Sequence, residues 1–474
     1  MADGPFIYRF TRDLRLEDHA GLAAAGARGA VLPLLVIDRA LEARLAHSPR
    51  RAAFFWSAAR ALDAELKERG SRLIVRRGPA GKTIKNVAHA VGAFGVAWSA
   101  EYDGVAMQSD QRLQSELEEA GLVAALVHDA PAVPPEETAA VRSIAGLGYR
   151  AFAPYYEVWS ELPVASHEHP LLLRFLESDL HSEPLPSNNE FGGAERDADA
   201  GAAAARRIVD TFLHESAIQY LVAARVPSDE RTSHLSTHLS FGTISARSVV
   251  KATRERLNDP FLLSEERLSL RAFLRAIAHR DFFLQLSWFH PKTHDDPLQE
   301  KMHGFSFQRT HPALDAWRGG NTGFPLVDAA IRQLHETGWI HPHARAVAAS
   351  FLCFDLGVDW RVGRDEWDRW LVEDDPAIAT GNWQWIAGVG ADMAQYPRIY
   401  NPERQRRRYD PDGAYVRRWV KELERTPMAI WPTDGASAQL PLELFPADSY
   451  PAPVVDHERA AREFLASYRA FVSA

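Results

Sequence analysis

Short apolar, β-branched runs alternate with longer amphipathic segments through the first 130 residues. PFIYRF opens the series, AVLPLLVID fills 30–38, a helical pattern covers 51–69 and RLIVRR covers 72–77. Further apolar runs at 93–99 and 122–127 flank a helical pattern at 108–120. A buried parallel strand reads as a continuous apolar run, and its crossover helix reads with a period of about 3.6 residues. The order therefore predicts a doubly wound parallel α/β sheet of about five strands, a fold that offers ligands the crevice beyond its strand carboxyl ends.

From Ala130 the pattern dissolves into APAVPPEE and later HSEPLPSNNEFGGAERDADAGAAAA, clusters of turn-forming and acidic residues that predict a linker over 131–200. Beyond residue 200 apolar positions recur at three and four through 202–222, 265–289, 324–337 and 343–356, with no alternating strand pattern. The expectation is an α/β + all-α chain: an α/β domain over 1–130, the linker, and a helical domain over 201–474.

Composition narrows the class. A chain of 474 residues with 46% hydrophobic and 25% charged positions has ample material for two or three globular cores. Its single cysteine, Cys353, excludes an internal disulfide, an iron–sulfur cluster and a Cys-based zinc site. The opening MADGPFIYRFTRDLR has no basic flank followed by an apolar stretch, and no apolar run reaches about 18 residues, so the chain is expected in the cytoplasm. A formal charge of −9 gives no whole-chain footprint for nucleic acid, and ERQRRR at 403–408 is the densest basic patch.

Two weak signals fall away. RGPAGKT at 77–83 follows a strand and precedes a helix, but two residues separate Gly78 from Gly81 where a phosphate loop needs four. The histidine pairs His167 and His169, His290 and His294, and His341 and His343 have no third convergent ligand, and no metal is expected.

Two clusters remain in the helical half. RTSHLSTHLSFGTIS, 231–245, gathers hydroxyls around an expected helix start, where free N–H groups favour phosphate or the hydroxyls serve as caps. The segment 322–402 is richer in tryptophan than a core requires. Here the chain resembles the DNA photolyase/cryptochrome family over essentially its full length, through RFTRDLRLEDHAGL, the TSHLS element at 232–236, TGFPLVDAAIRQL, GWIH, ASFL, GNWQW, PRIYNP, YDPDGAYVRRW and YPAPVVDH.

The resemblance implies a helical domain holding FAD in a folded conformation, with Tyr220, Thr232, Ser233, Leu235 and Ser236 at the phosphates and Arg280, Arg345, Glu373 and Asp375 near the flavin. The family usually carries Asp where Glu373 stands. It also implies an antenna chromophore, a folate or a deazaflavin, in the α/β domain. Of the family's three electron-carrying tryptophans, Trp383 matches the flavin-proximal position and Trp360 the middle one, while the surface position falls on Phe307 or Phe305. Trp317, Trp339, Trp367 and Trp370 offer another exit or a structural core.

The lesion-binding positions depart from the family. A Glu that donates to the dimer carbonyl aligns with Ala276, a stacking Trp with His279, and two Asn with Pro342 and Ala379. Trp385 persists as an aromatic wall, His279 and His343 are candidate replacement donors, and Arg406 represents the basic run beside the expected DNA groove. The two histidines of the (6-4) branch fall on Pro342 and Ala346. Three readings stay open: light-driven repair of pyrimidine dimers in UV-damaged DNA, a cryptochrome-like photoreceptor or redox sensor read by a signalling protein partner, or a non-photochemical FAD- or nucleotide-binding protein. None calls for a membrane, and a monomer is expected.

Overall fold

The computed structural model describes residues 4–141, 147–167, 173–187, 200–391, 396–432 and 450–473. His169 and part of the expected linker, 188–199, lie outside them. The chain divides into two compact units, one of residues 1–218, 233–294 and 372–378, the other of residues 219–232, 295–371 and 379–474.

In the first unit the apolar runs become strands β1 (Phe6–Phe10), β2 (Val31–Ile37), β3 (Ile74–Arg77), β4 (Gly95–Ser99) and β5 (Val123–Val127). All pair in parallel, in the order β3-β2-β1-β4-β5. Successive side chains of a strand point to opposite faces, so β1 sends Phe6, Tyr8 and Phe10 into one core and Ile7 into another. Burial on both faces explains why β2 reads VLPLLVI without polar alternation. The helices that cover the sheet start where the sequence supplies caps: Asp38 accepts the Leu41 N–H at 2.9 Å ahead of helix Arg39–Ala46, and Asp103 accepts the Ala106 N–H at 2.9 Å ahead of Gly104–Glu119. RGPAGKT forms an ordinary turn into the helix Ala80–Val91.

The expected linker is more structured than its composition suggests. It contains helices Pro135–Ala139 and Phe152–Glu161, and Phe175 bridges to Val31 in β2. Past residue 200 the described chain is helical, with one isolated bridge between Gln308 and Val358. The pattern over 202–222 predicts one helix, but a wider π turn at Phe212–Ser216 interrupts it and lets the chain neighbours Phe212 and Leu213 both bury. Similarly, Pro342–Ser350 gives way to a fully buried π turn, Phe351–Asp355.

The core of the second unit centres on helices Pro325–Thr337 and Pro342–Ser350, with the C-terminal helix His457–Val472 adding Phe464 and Tyr468. Among the described residues no helix is long and apolar enough to cross a membrane, and no three metal-ligating side chains converge.

Candidate functional site

In the first unit the carboxyl ends of β1, β4 and β5 open on a cleft whose lining includes Arg12, Glu101, Tyr102, Asp129, Arg280 and Asp375. Arg12 pairs with the carboxylates around it. Arg12 grips Glu101 with two guanidinium nitrogens, donates to the Asp374 carbonyl and reaches Asp375 Oδ1 at 3.2 Å. Arg44 Nε lies 2.9 Å from Asp374 Oδ2, and Arg51, 1% exposed, lies 3.8 Å from Asp374 Oδ1 and donates to the Glu373 carbonyl at 3.2 Å. Burial opposes the charge on Asp374, but Arg44, Arg12 and Arg51 outweigh it and hold the carboxyl well below the usual range. The strap carrying Glu373 and Asp375 is thus fixed by three arginines separated from it by more than 300 residues of sequence. Nothing in the local pattern marks Asp374, which the sequence reading missed.

The hydroxyl cluster lies on the turn into helix Ser236–Ser240. His234 adopts φ 49°, a conformation that turns the chain sharply before the helix. Leu235 is buried, and Ser236 Oγ is buried with no hydrogen-bond partner among the described residues. Ser233 Oγ accepts the Leu235 N–H at 3.5 Å. Arg280, on helix Ser264–Phe289, donates to the carbonyls of Ala130 at 2.7 Å and Leu239 at 3.2 Å, while its buried Nε has no partner among the described residues.

On the same helix His279 stacks on Phe152 with ring centroids 3.3 Å apart, and its Nδ1 lies 3.0 Å from the Arg275 carbonyl. Burial pushes its pKa down to about 4, so at neutral pH the ring carries one proton. That proton sits on Nδ1, facing an oxygen that can only accept. The geometry therefore disfavours His279 as a donor to a substrate. Ala276 and Ala379 are both half-buried and carry no polar side-chain atom.

The second unit holds the other half of the expected residues. Tyr220 starts the short helix Tyr220–Ala223, and burial pushes its hydroxyl up to about 12. Thr232 is buried, and its Oγ1 has no partner among the described residues. Arg345 lies half-buried on Pro342–Ser350, a helix begun by exposed Pro342 at a position where proline costs no hydrogen bond. Ala346, on the same helix, packs against the core. His343 packs against Tyr409 at 4.3 Å, burial lowers its pKa to about 4, and its Nε2 has no partner among the described residues.

The tryptophan-rich helix Pro376–Ile386 alternates its roles. Trp383 is 4% exposed and packs against Trp367 with centroids 4.6 Å apart. Trp385 is half-buried with the Arg398 guanidinium 5.8 Å from its ring. Between them Gln384 reaches back, accepting the Leu298 N–H and donating to the Asp296 carbonyl, both at 2.9 Å, and so fixes the helix rotation. Trp360 is fully buried. Where the resemblance places a surface tryptophan, Phe305 and Phe307 pack edge to face at 4.9 Å under Phe464 of the C-terminal helix.

Arg406 is turned inward. Its Nε and one terminal nitrogen hold Glu403 at 2.8 and 2.9 Å, and its guanidinium lies over Trp431. The exposed cations of the basic run are Arg404, Arg407 and Arg408.

Residues 273–470 match the sequence model for the FAD binding domain of DNA photolyase, and residues 6–171 match that for DNA photolyase. The chain is similar to a deoxyribodipyrimidine photo-lyase of Halobacterium salinarum, 35% identical over 98% of this chain and 98% of the relative. It is also similar to the crystal structure of a bacterial class III photolyase from Agrobacterium tumefaciens, with a TM-score of 0.83 and 29% identity over 100% of this chain and 99% of the other. An archaeal photolyase from Sulfolobus tokodaii, solved with two FAD molecules, aligns with a TM-score of 0.81 and 27% identity over 98% of this chain and 100% of the other. A match of this extent at both levels shows that the chain belongs to the DNA photolyase/cryptochrome family.

Proposed function

We propose that this chain is a blue-light-absorbing FAD flavoprotein that repairs UV-induced pyrimidine dimers in DNA through a lesion pocket of its own composition. The observation that carries this reading is the pair of Trp385 and Arg398, a half-exposed indole with a guanidinium 5.8 Å from its ring. A dimer turned out of a duplex needs an apolar face to lie against and a cation for its phosphate, and the pair offers both.

The residues fit FAD. Buried hydroxyls and N–H groups are seldom left without partners, and Thr232 Oγ1, Ser236 Oγ and Arg280 Nε have none among the described residues. Tyr220, Thr232, Ser233, Leu235 and Ser236 would hold the phosphates, and Arg280, Arg345, Glu373 and Asp375 the flavin ring. When bound and reduced, FAD supplies the electron that splits the dimer and takes it back. The chain's own contribution is to bind, orient and exclude water. Arg12, Arg44 and Arg51 fix the strap that carries Glu373 and Asp375, and Trp385 would offer its ring face to the base. Ala276 is apolar and the His279 proton is committed to Arg275, and His343, which also hydrogen-bonds Gln405, is a candidate donor for the dimer carbonyls. A second chromophore in the α/β domain, a folate, a deazaflavin or a second flavin, belongs to the same reading, and the similar Sulfolobus protein was solved with two FAD molecules.

The test is blue-light repair of a dimer-containing oligonucleotide, single- and double-stranded, by chemically reduced protein beside Trp385→Ala. Dimer loss that needs light and weakens in the variant is the expected result. Ala276, Pro342 and Ala379, apolar where repair enzymes carry polar groups, favour a photoreceptor with a protein partner as the second reading. Bound, light-responsive FAD with no dimer loss would select it.

A further inference from the structure

Trp367 stands between two other indoles. Its ring centroid lies 4.6 Å from that of Trp383, inclined at 55°, and 6.0 Å from that of Trp317 in a stacked pair at 15°. Trp360 has different company: the guanidinium of Arg361 lies 4.6 Å from its ring and that of Arg364 5.2 Å. Among the described residues no guanidinium is seated over Trp367 or Trp317.

Removing an electron from an indole leaves a cation. Two guanidinium charges at such range oppose that cation on Trp360, although Asp359 and Asp365 offset them in part. A stacked neighbour spreads the charge instead, which favours the Trp367–Trp317 pair. Proton loss would trap the charge elsewhere, but both N–H groups lack a base. Trp317 Nε1 donates to the Ala348 carbonyl at 3.0 Å, and Trp367 Nε1 is buried with no acceptor among the described residues.

We propose that Trp367, with Trp317 behind it, holds the positive charge created when light draws an electron through Trp383. One electron passes from Trp383 to the light-excited, oxidised isoalloxazine, and one passes from Trp367 to oxidised Trp383. Trp317 then shares the vacancy. No bond breaks and no proton leaves, and return of the electron in the dark restores every group. The proposal rests on the FAD reading above.

The experiment is transient absorption after a blue flash on the full chain loaded with oxidised FAD, comparing wild type with Trp367→Phe, Trp317→Phe, Trp360→Phe and Trp383→Phe. The tryptophan-cation signal should vanish in Trp383→Phe, shorten about tenfold in Trp367→Phe and Trp317→Phe, and shorten no more than about twofold in Trp360→Phe. A Trp360→Phe loss exceeding that of Trp367→Phe, or wild-type lifetimes in both branch variants, overturns the proposal and leaves the FAD reading standing. Flavin absorption and thermal melting are recorded on the same samples. A wild-type chain that takes up no flavin overturns the FAD reading and the proposal together. If Trp367→Phe loses flavin, Trp317→Phe, further along the branch, decides between the two outcomes.

Discussion

Gly363 and Trp383 meet where a side chain on the glycine would not fit: a Cβ there would overlap the indole Cη2 and stand 2.7 Å from Cζ3, with Leu352 closing the other side. The glycine is fixed by this close approach, since it sits inside the regular helix Trp360–Asp368. Gly363→Ala is expected to push Trp383 off its contact with Trp367 and to cost about 1–3 kcal/mol by overpacking, outweighing the helix propensity gained. Denaturant unfolding measures the cost, and near-UV circular dichroism reports the displaced indole.

Asp374 carries a second prediction. Removing one partner from a buried ion pair leaves the other's charge uncompensated, at about 3–5 kcal/mol. Asp374→Ala, which strips Arg44 and Arg51 of their shared carboxylate, is therefore expected to destabilise the first unit by that order. Asp374→Asn should cost less because it keeps an acceptor. The sign of the pH effect follows from the depressed pKa: the stabilisation is present above about pH 4, the unfolded value, and is lost as pH falls toward the folded one. The difference in urea midpoint between wild type and Asp374→Ala should therefore narrow from about pH 5 to about pH 3 without closing.

These two residues mark what the sequence makes legible. The strands are legible because burial on both faces leaves a continuous apolar run, as in VLPLLVI. Trp383 and Trp385 are singled out by the family resemblance that GNWQW carries, not by any local period. Asp374 is invisible because its partners Arg44 and Arg51 lie 330 and 323 positions away and no local period links them. The helix breaks at Phe212 and Phe351 are equally hidden, since a π turn changes the apolar period by a single residue. Trp367 reads as core or as an exit until its distances to Trp383 and Trp317 are known.

His279 supplies a pH signature. Its folded pKa of about 4 lies below the usual 6.5, so below pH 6.5 the unfolded chain binds a proton that the folded chain does not. Stability from this group is full above pH 6.5 and declines as pH falls toward 4, by up to about 3 kcal/mol. His279→Phe keeps an aromatic ring against Phe152 and removes the titration. The stability of wild type relative to this variant should fall across that interval in urea titrations, and a flat difference would mean that His279 is not buried neutral.

The basic run separates two kinds of arginine. Arg404, Arg407 and Arg408 face solvent, whereas Arg406 is 7% exposed and bonded twice to Glu403. If the run borders bound DNA, each solvent-facing cation that meets a phosphate releases a counterion. Arg404→Ala and Arg408→Ala should then weaken binding of damaged duplex and lower the slope of log affinity against log salt by about 1 each, with little effect on melting. Arg406→Ala should do the reverse, lowering the melting temperature because buried Glu403 loses two charge-assisted hydrogen bonds and is left with the solvent-facing Arg407, while the salt slope stays near wild type. Salt titrations of oligonucleotide affinity beside melting curves separate the cases, and an unchanged slope in both surface variants would remove this helix from the DNA-binding face.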